Sequence, residues 1–95
     1  METKILKVVR QGETFDVQSA KAETGSLKKC NIVLQELGGS EFENKYACSM
    51  LGNLAECRFY EGEVVAAAMH FTTHEYGGQE YQDVLLKDIV KLNTK

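Results

Sequence analysis

The sequence contains no proline, although average usage would supply about five in a chain of 95 residues. Proline is a common means of blunting exposed strand edges, so we expect the edges here to be paired, curled into a barrel or used in an interface. An excess of positive charge is also missing, because 11 basic residues face 14 acidic ones and leave a net charge of −3. This balance excludes a general polyanion-binding surface, so any nucleic-acid site must be a local basic stripe.

Long apolar runs are missing as well. Nothing approaches the ~18 residues of a membrane span, and the N-terminal residues 1–4 do not begin a signal peptide. We therefore expect a cytoplasmic protein with no membrane partner. Cys30, Cys48 and Cys57 cannot all pair and have no CxxC spacing, which favours buried free thiols. With neither repeats nor linkers, residues 1–95 are expected to form one domain.

Short runs of alternating apolar and polar residues predict an all-β protein with five strands. The first is one long strand that bends at the glycine of Gln11–Glu13, where a bulge or sharp turn is expected. The predicted strands cover residues 4–21, 27–37, 45–51, 64–76 and 79–92.

A change of period between the third and fourth strands predicts a short helix. Asn53 is a favourable N-cap and Glu56 follows three residues later, which is the capping-box arrangement and favours about two helical turns to Arg58. Residues 61–63 then end the helix. Three strands, a short helix and two strands make up the element order of the OB-fold, a five-stranded Greek-key barrel.

The last two strands form the clearest predicted hairpin. Gly77 and Gly78 suit a two-residue type I′ turn, which sets opposite each other the positions whose numbers add to 155. In an unbroken register Asp88 would point into the core beside Ala67. We therefore expect a bulge near residues 87–88 that lets Ile89 take the core position.

Four segments resemble the bacterial single-stranded DNA-binding proteins and their short OB-fold relatives, which include primosomal replication proteins. Residues 50–56 (Met-Leu-Gly-Asn-Leu-Ala-Glu) are similar to the end of the family's third strand and the start of its helix. Residues 60–64 (Tyr-Glu-Gly-Glu-Val) resemble its entry into strand four, residues 28–34 its second strand, and residues 81–92 its fifth. This resemblance covers residues 4–92 and implies binding of single-stranded DNA, with little sequence preference, in replication, repair or recombination.

The chain also departs from that family. Asn53 stands where the family commonly has lysine, and Leu51 where it has phenylalanine or tryptophan. Tryptophan is absent, so the family's stacking platforms are depleted, and the 95 residues include no acidic, partner-recruiting tail. These departures keep an alternative open, in which the protein is an OB-fold protein-interaction module that binds no nucleic acid. Replication proteins are the partners that the resemblance implies.

Binding of a single strand requires cations along the phosphates and flat side chains on which bases stack. The candidate cations are Arg10 and Lys21 on the first strand, Lys28 and Lys29 on the second, and Lys45 on the third. We expect them on adjacent strands of the one face that OB-folds use to bind oligomers. The candidate rings are Phe15 on the first strand, Phe42 in the loop between the second and third strands, and Tyr76 and Tyr81 around the hairpin turn. A solvated outer face explains the same lysines, since antiparallel strands expose every second residue.

A strip of small apolar residues predicts a homo-oligomer, either a dimer or a tetramer. Val64, Ala66 and Ala68 share the outer face of the fourth strand, and Leu85 lies on the same outer face of the fifth, opposite His70. Such a strip suits a sheet-to-sheet contact between two copies. A terminal segment of the chain covering the strip is the alternative.

Enzymatic chemistry finds no support in the sequence. His70 and His74 are four residues apart on a strand, or about 13 Å, which is too far to share a metal ion. There is no nucleophile elbow, phosphate-binding loop or dinucleotide fingerprint. We therefore expect a binding protein that needs no metal or cofactor.

Overall fold

The computed structural model describes residues 2–18, 25–38 and 43–92. Its elements are β1 (Glu2–Gln11), β2 (Phe15–Gln18), β3 (Ser26–Glu36), β4 (Lys45–Leu51), a 3₁₀ helix (Gly52–Glu56), β5 (Val64–Tyr76) and β6 (Gln79–Lys91). β1 and β2 both pair antiparallel with β3, so they are the two halves of the predicted bent first strand. No helix in the described ranges has the length and apolar character needed to cross a bilayer.

The sheet closes on itself. Its strand order is β1-β5-β6-β4-β3-β2, and β1 pairs additionally with β3. β4 and β6 run parallel and meet at Ser49 and Leu85. This closure pairs the strand edges that would otherwise be exposed in a chain without proline. It confirms the predicted five-stranded barrel with a short helical turn between its third and fourth strands.

Alternation along the strands fills the barrel interior. Leu6, Ile32, Leu34, Met50 and Met69 are fully buried, and burying a side chain of this size stabilises the fold by about 1.5–3 kcal/mol. Two of the three predicted buried thiols, Cys30 and Cys48, belong to this core. The prediction was wrong for Cys57, which is exposed.

Burial raises the pKa of the Cys48 thiol to about 12. Because the thiolate is the reactive form of cysteine, Cys48 is a packing residue and not a nucleophile.

The β5–β6 hairpin has the predicted turn and register. Both turn glycines have positive φ, 62° at Gly77 and 82° at Gly78, as a type I′ turn requires. Met69 pairs with Leu86, but the next pair is Ala68 with Asp88, so Lys87 is the extra residue of a bulge. Beyond that bulge Ile89 pairs with Ala67 and is 7% exposed. The unfavourable burial of Asp88 is avoided as the sequence predicts.

The short helix differs from the prediction. It is a five-residue 3₁₀ segment, not two α-helical turns, and Arg58 lies beyond it. Leu51 occupies the N-cap position and no side chain caps the first turn, so the capping box of Asn53 and Glu56 was wrong. Few residues and no cap leave such a segment without local stability of its own.

Side chains at the bend where β1 ends and β2 begins hold this segment instead. The Gln11 side chain accepts a hydrogen bond from the Phe59 N–H (2.7 Å) and donates one to the Cys57 carbonyl (2.8 Å). The Thr14 hydroxyl donates to the Ala55 carbonyl over 2.7 Å. The helix is therefore fixed by contacts that span more than 40 residues of sequence.

Candidate nucleic-acid interface

A β-bulge in β1 decides where Arg10 points. Val8 pairs with Leu34, but Arg10 pairs with Val33, so Val9 is an extra residue in β1. Without the bulge, alternation from the buried Val8 would turn Arg10 toward the core. With the bulge, Arg10 joins the outer face on which Val33 lies, and its side chain is exposed.

Four cations share the outer face of β1, β3 and β4. Lys7 and Lys45 both pair with Gln35, from opposite sides, and Lys29 lies on the same face of β3 as Gln35. Gln35 is six positions along β3 from Lys29, so the cations span about 20 Å along this strand. We call Lys7, Arg10, Lys29 and Lys45 the cationic face. No acidic residue lies on this face among the described residues of β1–β4.

An exposed ring lies beside the cation at one end of this face. Phe15 on β2 is the direct cross-strand partner of Lys29 and is 44% exposed. On the other side of Lys29, Leu51 of β4 continues the same row. Directly opposite residues in such a pair have Cβ atoms about 4.5–5.5 Å apart. A ring, a cation and an apolar side chain are therefore adjacent on one surface.

The hairpin forms one wall of a shallow concavity next to this row. The concavity has a volume of about 250 Å³, and its lining includes Lys29, Leu51, Thr72 and Asp83. Asp83 is the acidic member, and its carboxylate lies 2.7 Å from Nδ1 of His74. Lys29 and Leu51 of this row thus border a space that an extended ligand can enter.

A stacked pair of rings continues this wall along the hairpin. His74 and Tyr81 pair directly, and their rings stack with centroids 5.5 Å apart and an interplanar angle of 23°. This pair lies two residues nearer the hairpin turn than Thr72 and Asp83, a step of about 7 Å. The Tyr81 hydroxyl donates to the Gln79 side chain over 2.9 Å, which fixes the ring.

The hairpin carries a second predicted ring at its tip. Tyr76 is 74% exposed and pairs with Gln79 beside the turn. An apolar ring gains little from packing at such a position, so Tyr76 is available to a ligand or partner.

Lys28 does not lie where the sequence analysis set it. It alternates with Lys29 and therefore faces away from the cationic face. There it forms an ion pair with Asp16, directly opposite on β2, at 3.0 Å. The hydrogen bond that the Lys28 ammonium donates to this carboxylate is the main cause of the raised pKa of Lys28.

Two further predicted residues lie outside the described part of the chain, and one residue of the cationic face was not predicted. Lys21 and Phe42 lie outside the described residues. Lys7 was not predicted, although it alternates with the buried Leu6 and Val8 in the first run of the sequence. Alternation alone exposes Lys7, and only the pairing of β1 with β3 brings it opposite Gln35, with Lys45 on the other side of Gln35.

The closed barrel with its short helical turn defines the class of the protein, an OB-fold domain. No family model matches the sequence, and no curated protein is significantly similar to it. The structure is similar to the second OB-fold domain of replication protein A from Methanococcus maripaludis, solved by NMR in solution, with a TM-score of 0.72. That likeness covers 98% of this chain and 84% of the archaeal one at 11% sequence identity. It supports the OB-fold part of the resemblance to bacterial single-stranded DNA-binding proteins, but no family match supports membership in that family.

Proposed function

We propose that this OB-fold protein binds single-stranded DNA with little sequence preference and acts in replication, repair or recombination as a binding protein without catalytic activity. The cationic face is the observation that carries the proposal. The whole chain has a net charge of −3, so removing the four cations of this face leaves −7 for the rest. The four cations of this face thus lie on an otherwise acidic protein, on the side of the barrel on which OB-folds bind oligonucleotides.

The proposed mechanism divides the work between charge and stacking. Lys29, Arg10, Lys7 and Lys45 follow the phosphates over about 20 Å, and Phe15 stacks on a base beside Lys29. Stacking accepts every base, because each has a flat face, and contacts with phosphates carry no sequence information. Little sequence preference follows from these two kinds of contact.

The salt dependence of binding should report the number of phosphate contacts. Four neutralised phosphates on a single strand give a slope of log affinity against log salt of about −2.8. This modest electrostatic contribution agrees with an acidic protein that has one basic face.

The test uses two neighbouring lysines that face in opposite directions. We expect Lys29→Gln to weaken binding of a fluorescent oligo-dT by about 10–150-fold at low salt, since it removes a charge-assisted contact. It should also reduce the salt slope to about −2.1. Lys28→Gln is the matched control and should change both quantities little, because Lys28 is paired with Asp16 on the other face. Equal effects of the two variants, or no binding by the unmodified protein, would contradict the proposal.

The alternative, a protein-interaction module, has one observation of its own. Ile5 and Val90 are exposed apolar side chains on the outer face of the β1–β5–β6 part of the barrel, with Ala66 between them. A protein that binds no oligo-dT and uses this face to bind another protein would fit that function.

A further inference from the structure

A cleft opens at the seam where the barrel closes. Within the described residues, β4 and β6 pair at one position, Ser49 with Leu85. Toward their N-terminal ends a concavity of about 410 Å³ lies between the two strands, and Phe71 of β5 lies in its lining. This volume is within the range of small-molecule sites. The cleft is separate from the concavity beside Lys29, although Val84 borders both.

The aromatic part of the cleft is held in place. The Tyr46 and Phe71 rings meet edge to face with centroids 6.2 Å apart. The Tyr46 hydroxyl donates a 2.6 Å hydrogen bond to the Glu36 carboxylate, whose other oxygen accepts a 3.3 Å bond from the Asn44 amide. One carboxylate thus orients both Tyr46 and Asn44. A site with fixed side chains loses less conformational entropy when a ligand binds.

The polar groups of the cleft come from two amides and one cation. Asn44, just before β4, and Gln82 on β6 line it, and Lys45 follows Asn44 as the first residue of β4. An amide side chain offers both donors and an acceptor. Among the described residues, the Asn44 side chain bonds to Glu36 through one N–H, so its carbonyl oxygen and second N–H can meet a ligand. The edge of a nucleobase presents donors and acceptors side by side, and its face stacks on rings.

We infer that this cleft binds one unstacked nucleobase, with the Asn44 and Gln82 amides on its edge, the Tyr46 and Phe71 rings beneath it and Lys45 on the adjoining phosphate. The inference rests on the proposed function, since the base belongs to the single strand bound on the cationic face. Lys45 is the last cation of that face and also lines the cleft, so a strand that follows the face from Lys29 reaches the cleft at its end.

The ligand must be a base and not only a phosphate. Among the residues that the structure describes, Lys45 is the one cation that lines the cleft, and the Glu36 carboxylate contacts two of the lining side chains. A phosphate alone would meet a single positive charge with a carboxylate nearby, and it would leave the rings and amides unused. A base uses both.

The experiment compares two small probes that differ only in the base. Protein labelled with ¹⁵N is titrated with dAMP and, separately, with 2-deoxyribose 5-phosphate, and the side-chain NH₂ signals of Asn44 and Gln82 are followed by NMR. We expect dAMP to shift both signals and the sugar phosphate to leave them unchanged. Gln82→Ala should weaken dAMP binding by about 2–10-fold, the loss of a neutral hydrogen bond. Thr73→Ala is the matched control, because Thr73 pairs with Gln82 but does not line the cleft.

The outcomes separate this inference from the proposed function. Equal shifts with both probes would mean that Lys45 holds a phosphate only, and this would overturn the nucleobase site. If oligo-dT binds but dAMP moves neither amide signal, the nucleobase site is wrong and the proposed function stands. If dAMP moves both signals but oligo-dT does not bind, the cleft takes a nucleotide and the single-strand proposal is wrong.

Discussion

Two outer faces of the barrel share one strand but differ in chemistry. On the side where β1 pairs with β3, Lys7 and Arg10 belong to the cationic face. On the side where β1 pairs with β5, Ile5 forms a row with Ala66 and Val90. Ile5 is 55% and Val90 51% exposed. We call this row, together with Val64 and Leu92 of the next row, the apolar face.

The difference shows that position along β1, and not the strand as a whole, decides which surface a residue serves. Ile5 and Lys7 alternate outward in the same strand, and the bulge at Val9 then keeps Arg10 outward as well. Alternation along β1 therefore turns residues of both faces outward. The strand that pairs with β1 at each position, β3 or β5, then supplies the neighbouring residues of that face. A surface of fixed cations suits a polyanion, and a surface of exposed apolar side chains suits a protein partner or a second copy.

The sharpest way to break this comparison is to remove the ring of the cationic face. We expect Phe15→Ala to weaken oligo-dT binding by about 5–150-fold, since stacking contributes about 1–3 kcal/mol per base. Fluorescence anisotropy at constant salt measures the loss. The salt slope should stay the same, because no charge is removed.

Phe15→Tyr is the matched control and should retain most of the affinity, because a tyrosine ring also stacks. Replacing Ile5 on the apolar face by alanine should leave the affinity of each monomer unchanged. If Phe15→Ala and Ile5→Ala had the same effect on binding, the assignment of the ligand to the cationic face would be wrong.

The sequence is informative wherever a single strand or hairpin determines its own arrangement. Two adjacent glycines and a strand of core residues specified the β5–β6 register, and the unfavourable burial of Asp88 located the bulge at Lys87. The position of Lys7 needed more, because its neighbours come from β3 and β4, far away in the sequence. Lys28 and Lys29 were assigned to one face, although alternation must turn two successive residues to opposite faces.

The short helix shows a second limit of sequence analysis. A capping box is a local pattern, and it predicts a helix that stabilises its own first turn. Here the turn is held by Gln11 and Thr14, which lie more than 40 residues earlier in the chain. A short-range pattern around Asn53 and Glu56 cannot report such contacts.

The second prediction concerns the apolar face. We expect the protein to self-associate through the row of Ile5, Ala66 and Val90, and Ile5→Asp to shift the equilibrium to monomer, because a buried unpaired carboxylate opposes association. The contact should be weak, since a few exposed side chains bury less than the ~800 Å² per partner of a stable interface. Analytical ultracentrifugation over a range of concentrations measures the change.

Thr3→Asp, at the margin of the apolar face, is a control of equal charge and should disturb the equilibrium less. A monomeric protein at all concentrations would contradict the prediction. A dimer unaffected by Ile5→Asp would place the contact elsewhere on the barrel.

The smallest expected effect belongs to Glu36, whose pairing partner Leu6 lies on the strand common to both faces. The hydrogen bond from the Tyr46 hydroxyl is the main reason that the pKa of Glu36 is below its ordinary value of 4.5, and Lys4 lowers it further. A carboxyl group with a lowered pKa contributes stability that is fully present above the unfolded-state pKa and is lost as the pH falls through the folded-state value.

As the pH is lowered, the urea midpoint of the unmodified protein should therefore fall more than that of Glu36→Gln. This difference should arise only below about pH 4.5. Glu75→Gln, on the exposed hairpin, should follow the unmodified protein. If Glu36→Gln keeps the full acid dependence, Glu36 does not stabilise the strand that joins the two faces.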